Sequence, residues 1–169
     1  MLPKKVEEIL NVQILKEDYS SQLYLAMASW AENQGFEGVS NWLHAQAEEE
    51  RVHMLKLVKY VNERDGVAVI PGIDTPPTDF GDIFEMFDKV LAHEIFISGS
   101  INEIVVVCIA ENDFTTQNWI QWFVTEQIEE ESSVRAIIDK LKLVGKNNLY
   151  MFDRDIMSMR GAGEADSEA

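Results

Sequence analysis

Glu50 and His53 stand three residues apart in the stretch Gln46-Ala47-Glu48-Glu49-Glu50-Arg51-Val52-His53. On an α-helix that spacing stacks the two side chains on one face. A carboxylate and an imidazole one turn apart can hold a metal ion between them, as in the Glu-x-x-His element of carboxylate-bridged bundles. The bland alternative is a solvated helix surface with three glutamates and an incidental histidine. The spacing alone does not separate the two readings, so the surrounding pattern has to.

The elements that would position this pair read as helices. Residues 6–33 place Val6, Ile9, Leu10, Ile14, Leu25, Ala28 and Ala31 on one face, and Glu17 falls on the ladder Leu10, Glu17, Tyr24, Ala31. Gly35 and Gly38 mark a turn. A second helix over 39–64 has the core positions Leu43, Ala47, Glu50, Met54, Leu57 and Val61, with His53 beside them. The polar pair therefore lies on the apolar stripe, and burying an unpaired carboxylate costs several kcal/mol unless something compensates it.

Residues 65–80 carry Pro71, Gly72, Pro76 and Pro77 and show no helical period. Such a link spans ~50 Å when extended, against ~39 Å for the preceding helix. It can cross the whole bundle and make the second and third helices parallel. The third helix, 82–110, has Asp82 near its N-cap and the stripe Phe84, Phe87, Leu91, Glu94, Ile97, Ile101, Val105, Cys108. A fourth runs from 114 or 116 to 144 through Ile120, Phe123, Gln127, Glu130, Val134, Ile137 and Leu141. Gly145 caps it, and residues 148–159 form a short fifth helix. Residues 161–169 are polar and glycine-containing and are expected to be disordered, leaving 1–160 as one all-α domain.

The two halves repeat at an offset of 77: Glu17 falls on Glu94, Asn41-Trp42 on Asn118-Trp119, Glu49 on Glu126, Glu50 on Gln127 and His53 on Glu130. Two helical hairpins related by a pseudo-twofold axis would bring these positions to one depth in a four-helix bundle. Glu17, Glu50, His53, Glu94 and Glu130 would then converge, and their repulsion would be severe without cations between them. Five such groups call for two metal ions rather than one, with Glu50 as the bridge. Four oxygen ligands and one nitrogen suit Fe(II), Mn(II) or Zn(II), among which geometry and supply decide. A metal-free hydrogen-bonded network is the alternative, and four glutamates leave it short of donors.

Composition narrows the classes further. The chain has 169 residues, 46% of them hydrophobic and 26% charged, which suits one globular domain. A net charge of −16 argues against nucleic acid or an anionic membrane as partner. The apolar run 95–110 is broken by Asn102 and Glu103, and the N-terminus lacks the apolar core of a signal peptide, so cytoplasm is expected. Cys108 is the single cysteine, which excludes an internal disulfide and a cysteine-held metal.

With those residues placed, the chain resembles the ferritin family, and within it the bacterial non-haem ferritins. The likeness runs through Glu17-Asp18-Tyr19-Ser20-Ser21, Gly35-Phe36-Glu37-Gly38, Ala47-Glu48-Glu49-Glu50, His93-Glu94, residues 121–131 and Ile137-Ile138-Asp139-Lys140-Leu141. The resemblance implies a ferritin-like four-helix bundle and a homo-24-mer shell that stores ferric mineral. It also implies a di-iron ferroxidase centre using O2 or H2O2. By motif, Glu17, Glu50 and His53 would hold one iron and Glu50, Glu94 and Glu130 the second. Gln127 would sit beside the pair. A third iron site maps onto Glu49, Glu126, Glu129 and Glu130. Tyr24 and Trp122 match aromatics beside the centre that donate an electron or a hydrogen bond, and core packing explains them equally well. Where bacterioferritins carry a haem-ligating methionine this chain has Arg51, so no haem is expected. A rubrerythrin-like peroxidase is disfavoured by the single cysteine, a DNA-protecting mini-ferritin by the acidic tail, and a shell without a working centre by the complete ligand set.

Overall fold

In the computed structural model, which describes residues 1–160, the chain forms α1 (Lys4–Asn33), α2 (Glu37–Glu63), α3 (Ile83–Ala110), α4 (Phe114–Trp119), α5 (Gln121–Val144) and α6 (Leu149–Asp155). Two short 3-10 turns flank α6. The expected disordered tail, 161–169, lies outside the described residues.

Hydrogen bonds at the helix ends fix the topology. α2 returns antiparallel to α1, so that its C-cap residue Arg64 accepts from the Leu2 amide near the start of α1. From there the helix-free link runs back along α1: the Asn11 side chain bonds the Val67 carbonyl and the Val69 amide, and near the other end Phe80 packs on Trp30. The crossover therefore traverses the bundle as its length predicts, and α3 starts at the same end as α2 and runs parallel to it. Asp82 caps α3 by accepting from the Phe84 and Glu85 amides, while Glu85 accepts from the Asp82 amide, a reciprocal capping box. α3 ends beside the start of α1, where Lys5 meets Glu111 at 2.7 Å.

Two details differ from the sequence expectation. Leu25, read as a core residue, is 42% exposed, and Leu23, Tyr24 and Met27 fill the face instead. The helical period admits a face slightly rotated from the one chosen, and packing rather than hydrophobicity selects it. The fourth helix is interrupted at Ile120, without a Gly or Pro to break it. The bend falls where Trp119 stacks flat on Tyr60, centroids 3.7 Å apart at 12°, and where Ile120 sinks into the core, so side-chain packing is the cause at hand.

The core divides into two apolar layers. One holds Trp30, Val39, Trp42, Phe87, Val134 and Phe152; the other holds Leu10, Ile14, Leu57, Ile97, Ile104 and Phe123. Every long helix passes through both. Between them, on each helix, comes a short polar interval: Glu17 and Ser20 on α1, Glu50 and His53 on α2, Glu94 on α3, Gln127 and Glu130 on α5.

α3 is by length and composition apolar enough to cross a bilayer. Its Glu94 is nevertheless buried inside the bundle, in the polar interval between the two apolar layers.

Candidate metal centre

The polar interval is buried. Glu17 and Glu94 are each 1% exposed, Glu50 2% and His53 3%, with Gln127 and Glu130 also buried. The central pairs at the offset of 77, Glu17 with Glu94, Glu50 with Gln127 and His53 with Glu130, are all buried in this interval. Trp42 and Trp119, equivalent at the same offset, fall in opposite apolar layers, because an axis across the bundle keeps only central positions at one depth.

Ligand atoms of Glu17, Glu50 and His53 all lie within 4.8 Å of one another, and His53 Nδ1 is 3.5 Å from Glu50 Oε2. Glu17 Oε1 accepts from Gln13 Nε2 at 2.7 Å, whereas its Oε2 is the one buried side-chain polar atom among the described residues with no hydrogen-bond partner. Two facing carboxylates cannot bond each other without a proton between them. An orphaned, desolvated oxygen beside a second carboxylate and an imidazole makes these three residues a candidate cation site.

Glu94 and Glu130 stand outside that group, each held by neighbours. The Tyr24 hydroxyl and Gln127 Nε2 (3.1 Å) both donate to Glu94, and Gln46 Nε2 donates to Glu130 Oε2 at 2.8 Å and to Glu50 Oε1 at 3.4 Å. Ser100 donates to Gln13 Oε1 at 2.7 Å, which turns the Gln13 amide nitrogen toward Glu17. Behind Tyr24, burial pushes His93 down to about 4, so it packs as a neutral ring, with Ser20 Oγ 2.7 Å from its Nε2.

Burial, then the neighbouring carboxylates, hold Glu17, Glu50 and Glu130 well above the usual carboxylate range. Burial raises Glu94 too, against the opposing hydrogen bonds from Tyr24 and Gln127. A cation taken up among such carboxyls would displace protons from them.

A groove of about 730 Å³ opens from this layer between α2 and α5. In it Glu49, His53 and Glu126 form a second group with ligand atoms within 4.8 Å. Burial raises Glu126. Glu129 lines the same groove but is exposed, and Glu130 closes its inner end from the buried layer. Trp122 meets His53 edge-on at 5.5 Å and carries the Lys56 ammonium over its face.

The structure brings Glu17, Glu50 and His53 together, and Glu49 and Glu126 with His53, and leaves Glu94, Glu129 and Glu130 outside both groups. It adds two amides, Gln13 and Gln46, that the sequence reading did not single out. Gln13 precedes Glu17 by four residues and Gln46 precedes Glu50 by four, so each pair shares a helix face. That repeated Gln-x-x-x-Glu spacing was the available signal.

Residues 7–144 match the family model of the ferritin-like domain. A bacterial non-heme ferritin of Campylobacter jejuni is 40% identical over 161 residues, covering 94% of this chain and 96% of that protein. One of Escherichia coli O157:H7 is 35% identical over 161 residues, covering 94% and 98%. Among solved structures, an open pore ferritin from the archaeon Archaeoglobus fulgidus superposes with a TM-score of 0.89 at 38% identity, covering 92% of this chain and 96% of that one.

Proposed function

This chain belongs to the ferritin family, and on that premise we propose that it stores iron and oxidises Fe(II) within its own bundle. The observation that carries the reading is Glu17 Oε2, a buried carboxylate oxygen left without a partner beside Glu50 and His53. Iron is here the substrate. Glu17, Glu50 and His53 bind one Fe(II); Glu50, Glu94 and Glu130 bind the second.

Gln46 holds Glu50 and Glu130 together, and Gln127 and the Tyr24 hydroxyl fix the orientation of Glu94. Protons carried by the raised carboxyls leave as the metal enters. Each Fe(II) gives up one electron. Two electrons and two protons convert O2 to H2O2, or H2O2 to two waters. The protein supplies proximity and a dry, pre-oriented site. The groove with Glu49, Glu126, Glu129 and Glu130 is the way station through which iron moves on to the mineral.

Assembly as a homo-24-mer in the cytoplasm completes the reading. Large apolar side chains face outward on α1 (Val12, Leu15), on the link (Val67, Val69, Ile70) and on α3 (Ile95, Phe96, Ile109), which suits burial against further copies. Light scattering after size-exclusion chromatography should give a mass near twenty-four subunits. Stopped-flow oxidation of added Fe(II) tests the centre: Glu50→Ala, His53→Ala and Glu130→Ala should each slow the initial rate at least ~10-fold, a loss of ~1.4 kcal/mol or more in the barrier. Wild-type rates in all three would remove the site assignment.

A further inference from the structure

After α6 the chain turns back over α2, and Arg160 arrives at the groove that leads to the buried layer. Its guanidinium donates to the Trp42 backbone carbonyl at 3.2 Å and to Glu49 Oε2 at 2.8 Å, and its carbon stands 5.8 Å from the centre of the Trp42 ring. The two charged side chains are only 11% and 22% exposed. Glu49 is also one of the three residues of the groove's ligand group, with His53 and Glu126. One carboxylate is therefore claimed twice, by a fixed guanidinium and by any cation that settles among the three.

The C-terminal segment does not need this contact to dock. Phe152 and Ile156 are buried in the core, Asp153 Oδ1 accepts from the Val39 amide at 2.9 Å, and the Asp153 backbone lies so close to Gly38 that no side chain would fit between them. Arg160 is held against a carboxylate of the groove's candidate ligand group, so its charge enters the charge balance of the groove.

We propose that Arg160 is a displaceable counter-cation: it holds Glu49 while the groove carries no metal and yields that carboxylate when a cation enters, so that the C-terminal turn sets how tightly the groove retains iron in transit. The inference rests on the groove being the way station proposed above. Like charges a few ångströms apart in a half-buried site repel, so Arg160 weakens cation binding there and favours onward release. Arg160 is thus a positioning residue that acts through Glu49.

Titration of the metal-free protein with Tb(III), with emission excited through Trp42 and Trp122, reads the groove without any iron oxidation when every protein compared also carries Glu17→Gln and Glu94→Gln, which take a carboxylate from each half of the buried pair. Arg160→Gln, which removes the charge but keeps the length, should bind Tb(III) ~3-fold to ~5-fold more tightly, the range a partly exposed ion pair commands. Arg160→Lys should retain the wild-type affinity, a rescue that a purely structural role does not predict. Combining Arg160→Gln with Glu126→Gln should abolish the gain. If Glu126→Gln weakens Tb(III) binding but Arg160→Gln does not tighten it, the counter-cation is refuted and the way station stands. If Glu126→Gln leaves binding unchanged, the way station and the counter-cation fall together, while the buried pair is still judged by Fe(II) oxidation in Glu50→Ala.

Discussion

Replacing Glu17 by glutamine should stabilise the metal-free protein while crippling its use of metal. Glu17 is buried, its Oε2 has no partner, and burial and Glu50 hold its carboxyl well above the usual range. Leaving a buried acceptor unsatisfied costs ~1–3 kcal/mol. Glutamine keeps the oxygen that accepts from Gln13 at 2.7 Å and carries a permanent amide donor beside Glu50, so the site is satisfied without taking up a proton. A gain of ~1–3 kcal/mol corresponds to ~2–12 °C in the midpoint for a domain of this size. Calorimetry on protein stripped with chelator should show that rise in Glu17→Gln, and saturating Zn(II) should raise the variant's midpoint less than the wild type's. A metal-free Glu17→Gln that melts below wild type would refute the reasoning, because Glu17 would then contribute to the fold rather than strain it.

The raised carboxyls give a pH dependence of definite sign. Groups raised above their ordinary value of 4.5 contribute stability that is complete below that value and lost as the pH climbs through their folded values. Metal-free protein should therefore melt lower at about pH 7 than at about pH 5, and Zn(II) should flatten the slope; parallel curves with and without metal would count against the cluster. Tyr24→Phe removes the hydroxyl that donates to Glu94, and should cost ~1–2 kcal/mol in chemical denaturation while anaerobic calorimetry still counts two Fe(II) per bundle. Far from the centre, Arg64 joins Asp113, Tyr60 and Thr116 at the end of α2. Burial pushes Asp113 up, but the bonds from Thr116 and Arg64 win and hold it below its usual value. Arg64→Leu should cost ~2–3 kcal/mol, less than a fully buried pair because the arginine is 20% exposed, with Fe(II) oxidation unaltered.

The sequence was most legible where polarity violates a helical period. Glu17, Glu50, Glu94 and Glu130 each interrupt an apolar ladder, and the offset of 77 links the halves, so a buried polar interval midway along the bundle was legible from the pattern. The crossover was legible from proline content and length. What escaped was set by tertiary contact: the rotation of α1 that exposes Leu25, the interruption at Ile120 beside the Tyr60 stack, and the return of Arg160 to Glu49 across more than a hundred residues. The amides of Gln13 and Gln46 lie between these cases. Their spacing was visible, but polar residues beside a carboxylate read as helix surface until burial shows otherwise.

The most direct test is an anomalous-scattering map of crystals soaked anaerobically with Fe(II). It should show two iron peaks in the polar layer, one among Glu17, Glu50 and His53 and one among Glu50, Glu94 and Glu130. A single peak there, or peaks only at the groove and surface, would contradict the di-iron centre.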